Sequence, residues 1–223
     1  MQIAPLLHIG RGVTALIGGG GKTTLLYTLT EELRRKGSVI LCTSTRIMRP
    51  PQYEVLEAAE ETELSAALAA YGAVCVGTAA ENGKLAAPQL PFETLAQLAD
   101  YVLVEADGAK RLPLKAHAPH EPVIPPNAQR VVMVVGADGF GRPIREVCHR
   151  PERYAALCGA PEDAAVTPEM EAAVLVAEGF GDRVYINKVE SAADFDNAAA
   201  LAGCLTCPVA AGSLQKGVYV CLR

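Results

Sequence analysis

The stretch Val13-Thr14-Ala15-Leu16-Ile17-Gly18-Gly19-Gly20-Gly21-Lys22-Thr23-Thr24-Leu25-Leu26 decides the fold. Its first five residues form an apolar run of the kind buried on both faces of a parallel sheet. Leu25, Leu26, Leu29 and Leu33 then recur at helical spacing, the last turn is basic at Arg34, Arg35 and Lys36, and Gly37 stops it. Between strand and helix, residues without side chains let backbone N–H groups turn onto an anion, and the helix N-terminus adds its partial positive charge. In such a phosphate-binding loop Lys22 reaches the β- and γ-phosphates and the Thr23 hydroxyl ligates magnesium. The loop is shorter than G-x-x-x-x-G-K-[ST], because Leu16 stands where the first glycine belongs. Gly18, Gly19, Gly20, Gly21, Lys22, Thr23 and Thr24 are accordingly expected to bind a nucleotide.

Working outward, Val39–Thr43 supplies the next strand and closes a βαβ unit. Further strands are expected at Ala73–Gly77, Tyr101–Glu105, Val131–Val135, Val184–Asn187 and Pro208–Ala211. One helix is expected over Glu54–Tyr71, ending at Gly72, and another from an N-cap at Thr167 with Pro168 first inside it and Gly179 beyond its end. Asn82-Gly83 marks a turn in a small hairpin excursion near residues 78–90. The alternation predicts an α/β fold, a three-layer P-loop NTPase-like sandwich with a mostly parallel sheet, as a single domain over residues 1–223. Aromatic residues are 5% with no Trp, so the core must come from Val, Leu, Ile and Ala.

Twenty basic residues against 25 acidic ones, a net charge of −5, give no reason to expect nucleic acid or an anionic membrane as a partner. The first residues lack a basic start and an apolar stretch, and no apolar run approaches the ~18 residues of a spanning helix, so a cytoplasmic location is expected. Cys42, Cys75 and Cys221 lie in apolar strand-like contexts suited to reduced core thiols. Cys204 and Cys207 form a lone C-x-x-C without a second pair at zinc spacing.

Tyr101-Val102-Leu103-Val104-Glu105-Ala106-Asp107-Gly108 is an apolar strand ending in acids. P-loop proteins hold their magnesium shell with an acid at the tip of such a strand, directly or through water. Glu105 and Gly108 have the D-x-x-G shape of GTPases with Glu for Asp, which assigns Glu105 to the metal together with Thr23; Asp107 is the alternative magnesium or water-positioning carboxylate. Ile186-Asn187-Lys188-Val189-Glu190 ends a late strand and is similar to the N-K-x-D base-recognition motif, whose carboxylate pairs with N–H groups that guanine offers and adenine does not. Asn187, Lys188 and Glu190 are therefore expected at the base of GTP or ATP, with guanine preferred.

Leu112–Asn127 resists both periods and carries Pro113, Pro119, Pro122, Pro125 and Pro126, within a Pro-rich loop over residues 108–127. A long stiff loop in a compact domain is usually functional. It leaves the carboxyl end of a strand, where ligands bind in open α/β sheets. Asp107, Lys110 and His120 are thus the candidate catalytic residues: Asp107 to orient water or magnesium, Lys110 with Lys115 to clamp an anionic small molecule, His120 to transfer a proton near neutral pH. Pro119 argues against His117 and His120 as a metal pair on one helical face.

With these elements placed, the chain resembles the YqeC family, accessory proteins implicated in maturing selenium-dependent molybdenum hydroxylases. The resemblance runs from Gly18–Thr24 through Thr43-Ser44-Thr45, Glu105-Ala106-Asp107-Gly108-Ala109-Lys110, Leu112-Pro113-Leu114-Lys115, His120-Glu121-Pro122-Val123-Ile124-Pro125, Val135-Gly136-Ala137-Asp138, His149-Arg150-Pro151-Glu152 and Ile186-Asn187-Lys188. The stretch from Glu105 to Pro125 is its specific part. The resemblance implies a nucleotide-dependent role in maturation, with Mg²⁺ and GTP or ATP as cofactors and a molybdenum hydroxylase as partner. Two other classes stay open: a small-molecule kinase or acyl-phosphate ligase, whose short Gly-rich loop is similar to that of Mur-type ligases, and a non-hydrolysing nucleotide-dependent chaperone or switch.

Overall fold

The computed structural model describes residues 2–223. Along the chain lie α1 (Ile3–Leu6), β1 (Gly12–Gly18), α2 (Lys22–Leu33), β2 (Val39–Thr43), β3 (Arg46–Met48), β4 (Glu54–Glu57), α3 (Glu61–Tyr71), β5 (Ala73–Ala79), β6 (Lys84–Ala86), α4 (Phe92–Leu98) and β7 (Tyr101–Glu105). The second half comprises β8 (Leu114–Lys115), β9 (Ala128–Gly136), α5 (Ile144–Val147), β10 (Cys148–His149), α6 (Pro151–Cys158), α7 (Pro168–Glu178), β11 (Arg183–Asn187), α8 (Ala192–Cys204), β12 (Val209–Ser213) and β13 (Val218–Cys221).

Eleven strands make one sheet in the order β13-β12-β11-β9-β1-β7-β2-β5-β6-β3, with β4 beside β5. The pairings from β12 across to β5, and that of β4 with β5, are parallel; β13, β6 and β3 join antiparallel. Alternating residues of the central strands feed opposite layers. On one face Leu16, Leu41 and Leu103 pack with the Leu25, Leu26, Leu29 and Leu33 stripe of α2. On the other, Ile40, Val102 and Val104 meet Leu64 and Leu95 of α3 and α4, while Ile17, Met133 and Ile186 meet α7 and α8. This is the mostly parallel three-layer α/β sandwich that the sequence implies. Each fully buried leucine of α2 contributes about 1.5–3 kcal/mol, which clamps the helix that carries Lys22 and Thr23 to the sheet.

The sheet order also sets the site. β7 lies between β1 and β2, with Leu16 in register with Glu105, so the acidic strand end emerges beside the glycine loop. Thr43 braces that end by donating its hydroxyl to the Glu105 carbonyl at 2.6 Å.

Two expectations are corrected. Residues Glu54–Glu57 are not the first turn of a helix but β4, and the left-handed Ala58 (φ 52°) separates them from α3. Val55 and Leu56 there fill an edge position next to β5, a tertiary gain that local helical spacing cannot register. Cys42 and Cys75 are buried free thiols, but Cys221 is exposed because it sits on the outermost strand.

Candidate functional site

The glycine loop is shaped by close approach. Gly18, Gly20 and Gly21 take left-handed φ angles of 95°, 71° and 123°, and a Cβ on Gly19 or Gly20 would collide with the backbone of Pro113 or Gly136. Gly18 N–H donates to Asp107 Oδ2 at 2.9 Å, Gly19 N–H to the Val134 carbonyl at 2.9 Å and Gly20 N–H to the Leu112 carbonyl at 3.1 Å. These three glycines therefore fold the loop, and the donors it leaves for an anion are the first-turn N–H groups of α2, which have no intrahelical acceptor. The Pro-rich segment serves as the loop's floor.

Asp107 is the hub of the charged cluster. Fully buried, it accepts from Gly18 N–H and His117 Nε2 (2.6 Å) and meets Lys22 Nζ at 2.9 Å and Lys115 Nζ at 3.0 Å. Burial alone would raise its pKa, but Lys22, the His117 hydrogen bond and Lys115 together hold its carboxyl well below the usual carboxylate range. Lys22 Nζ also donates to the Gly18 carbonyl at 2.5 Å, folding the side chain over the loop. Asp107 Oδ1 has only the ionic contact with Lys22 and receives no hydrogen bond, an open buried acceptor beside the loop.

Thr23 donates its hydroxyl to Glu105 Oε2 at 2.8 Å, so the structure brings together the two residues assigned to magnesium. Burial pushes the Glu105 carboxyl up against the pull of Lys22 and the Thr23 hydrogen bond, an instability that a nearby cation would relieve. Among the described residues no three His, Cys, Asp or Glu could hold a metal by themselves, so a magnesium ion held by Thr23 and Glu105 would need further oxygen ligands from a bound molecule or water.

Asn187, Lys188 and Glu190 line a cavity of about 410 Å³ with Thr24, Ser213 and Leu214. Asn187 faces inward as a strut, donating Nδ2–H to the Gly20 carbonyl at 2.8 Å and accepting Leu214 N–H at 3.1 Å. Lys188, in a left-handed conformation, pairs with Asp138 at 2.7 Å. Glu190 accepts the Ser213 hydroxyl at 2.7 Å, which first of all holds its carboxyl below the usual range.

Lys110 is exposed and lines a second cavity, about 570 Å³, together with the glycine loop and Glu105. Lys115 is not at that opening. It is buried, donates to the Gly108 carbonyl at 2.6 Å and pairs with Glu121 at 2.8 Å, which Arg150 also reaches at 2.8 Å. His120 is exposed and is not brought to Asp107.

The imidazole at Asp107 is His117, which sequence reasoning passed over. Its Nδ1 meets Glu178 Oε2 at 2.6 Å, and its backbone N–H reaches Glu178 Oε1 at 2.6 Å. Burial would lower the His117 pKa, but the bonds to Asp107 and then Glu178 outweigh it and raise it, which favours an imidazolium donating at both nitrogens. Glu178 is 61 residues away at the end of α7, and no local pattern signals that pairing.

A model of the YqeC protein family matches residues 14–152. An uncharacterized protein YqeC of Escherichia coli (strain K12) is 34% identical over 161 residues, covering 68% of this chain and 62% of that protein, so this chain spans less than two thirds of its relative's length. Among solved structures, the signal recognition particle 54 kDa protein of Aeropyrum pernix K1 in complex with GDP is similar over 96% of this chain and 44% of its own, at 16% identity and a TM-score of 0.40. Among the described residues, no helix is long and apolar enough to cross a membrane.

Proposed function

The chain belongs to the YqeC family, and we propose that it is a magnesium-nucleotide-binding protein that hydrolyses GTP or ATP in the maturation of selenium-dependent molybdenum hydroxylases. The observation that carries this is the junction of β1 and α2, where Lys22, Thr23 and Glu105 converge at a glycine loop whose Cβ positions are already filled. The family resemblance supports the maturation role.

The first turn of α2 holds the β-phosphate through its free N–H groups. Lys22 has three donors, so it can keep Asp107 while turning another N–H toward the γ-phosphate. Thr23 and Glu105 would hold magnesium, which would neutralise charge on the phosphate oxygens. Asp107 stays ionised and positions Lys22 or a water through Oδ1, and the His117–Glu178 pair fixes the carboxylate's orientation. The nucleoside lies in the cavity of Asn187, Lys188 and Glu190, with Glu190 at the guanine edge. Lys110 sits at the opening where an anionic small molecule would enter.

A second reading, a small-molecule kinase or ligase, is favoured by the basic character of that opening. Calorimetric titration with Mg-GTP and Mg-ATP, followed by product analysis, tests both. Binding with release of free phosphate supports hydrolysis, a phosphorylated small molecule supports transfer, and no binding of either nucleotide rejects the P-loop assignment.

A further inference from the structure

The basin at the glycine loop has a second wall that the nucleotide cradle does not use. It is formed by β3 and β6, paired antiparallel with Ile47 opposite Leu85 and Met48 opposite Lys84. Ile47 and Leu85 are buried, at 4% and 0% exposure, and Arg46, Ile47, Met48 and Lys84 line the basin. From across the basin, the chain leaving Gly108 contributes Lys110 and Arg111, two consecutive non-glycine residues in left-handed conformation at φ 47° and 64°. Such residues are held against their local preference, as binding sites often require.

Arg46, Lys84, Lys110 and Arg111 form no ion pair among the described residues, in a chain where acids outnumber bases 25 to 20. The basin's one lining carboxylate, Glu105, is already bonded to Thr23. In the function proposed above a triphosphate is met by Lys22, magnesium and the first turn of α2, and none of these four cations belongs to that set. A carboxylate would bring a single charge, whereas a phosphate monoester near neutral pH brings nearly two and three acceptor oxygens, which suit an arginine fork among lysines. Met48, 53% exposed between the cations, offers an apolar surface for the rest of such a molecule.

We propose that the Arg46–Met48–Lys84 wall, facing Lys110 and Arg111, binds a second substrate that is a phosphate monoester with an apolar body, beside the nucleotide's terminal phosphate. The nucleotide's place rests on the function proposed above, while the wall's own cations lie outside the glycine loop.

Phenyl phosphate is the probe, titrated by calorimetry into protein loaded with magnesium and a non-hydrolysable GTP or ATP analogue. Saturable binding is expected, at least tenfold weaker in Arg46→Ala/Lys84→Ala while affinity for the analogue changes less than threefold. Benzoate should bind at least tenfold more weakly than phenyl phosphate. Arg111→Gly removes a cation at a position whose left-handed backbone suits glycine, so it should weaken phenyl phosphate binding while the melting temperature holds or rises, which separates lost recognition from lost folding. No saturable binding to the loaded protein, or equal binding by all variants, overturns the proposal. If the analogue itself does not bind, the nucleotide reading fails separately; phenyl phosphate titrated into the unloaded protein then decides the wall by the same loss, or its absence, in the variants.

Discussion

Lys22 Nζ lies 2.9 Å from Asp107 Oδ1, with neither side chain more than 5% exposed, so the lysine proposed to meet a triphosphate already neutralises a buried carboxylate. The two ends of this pair differ in what else supports them. Without Lys22, Asp107 keeps Gly18 N–H, Lys115 and His117. Without the Asp107 charge, Lys22 and Lys115 lose a shared counter-ion in a buried place. Lys22→Ala should therefore weaken Mg-nucleotide binding by tenfold or more with a modest loss of stability. Asp107→Asn should destabilise by about 3 kcal/mol, the scale of a broken buried ion pair. Urea unfolding and calorimetry on both variants check this; a Lys22→Ala protein with undiminished affinity removes Lys22 from the phosphate site.

Asn187 and Glu190 belong to one motif but should fail in different ways. Asn187 ties the glycine loop to Leu214, so Asn187→Ala should weaken GTP and ATP equally and lower the melting temperature. Glu190 reaches the cavity from the surface, so Glu190→Ala should leave the fold intact and erase a preference for GTP. Competition between the two nucleotides measures it. Tighter ATP binding by the wild type would make Asn187-Lys188 a structural strand end only.

The central strands were legible in the sequence because parallel strands buried on both faces read as continuous apolar runs, and Val39–Thr43 and Tyr101–Glu105 begin and end where expected. The glycine loop was legible because its spacing is local. β4 was hidden because Glu54–Glu57 fits a helix as well as an edge strand until β5 is beside it. At the site, Thr23 and Glu105 could be paired from the motif order, but His117 could not be chosen over His120. That choice depends on where the Pro-rich chain passes under the loop and on a carboxylate 61 residues away. Arg46 and Lys84 escaped notice because only the pairing of β3 with β6 turns them to the same basin.

His117 and His120 give a direct comparison of a buried and an exposed imidazole. The folded pKa of His117 is raised above 6.5, so its contribution to stability is full below about pH 6.5 and is lost as pH rises through the folded value. His117→Ala should lower stability most at acidic to neutral pH and remove that part of the alkaline decline. It should also lower turnover by freeing Asp107. His120→Ala should leave stability within about 0.5 kcal/mol, as for other exposed sites. Urea titrations across pH 5–9 decide this, and a pH-independent difference between wild type and His117→Ala would show that folding leaves the imidazole's pKa unchanged.

Glu171 sets a second pH dependence, on the same helix as Glu178 and within the electrostatic reach of the His117–Glu178 pair. It is fully enclosed on α7, accepts the Tyr154 hydroxyl at 2.6 Å, and is pushed up to about 7 from 4.5 chiefly by burial, with the Tyr154 bond opposing the shift. For an acid whose folded pKa is raised, the unfolded chain releases its proton first as pH rises. Stability is therefore greatest below about pH 4.5 with respect to this group, falls between 4.5 and 7, and levels off above. At about 1.4 kcal/mol per unit the loss amounts to ~3 kcal/mol. Glu171→Gln keeps an acceptor for Tyr154 but cannot ionise, so its stability relative to wild type should rise by that amount across the same window. Tyr154→Phe removes the bond that favours the charged form and should extend the decline to higher pH. Equilibrium unfolding of the three proteins from pH 4 to 8 measures both effects, and parallel curves for wild type and Glu171→Gln would show that folding does not raise the Glu171 pKa.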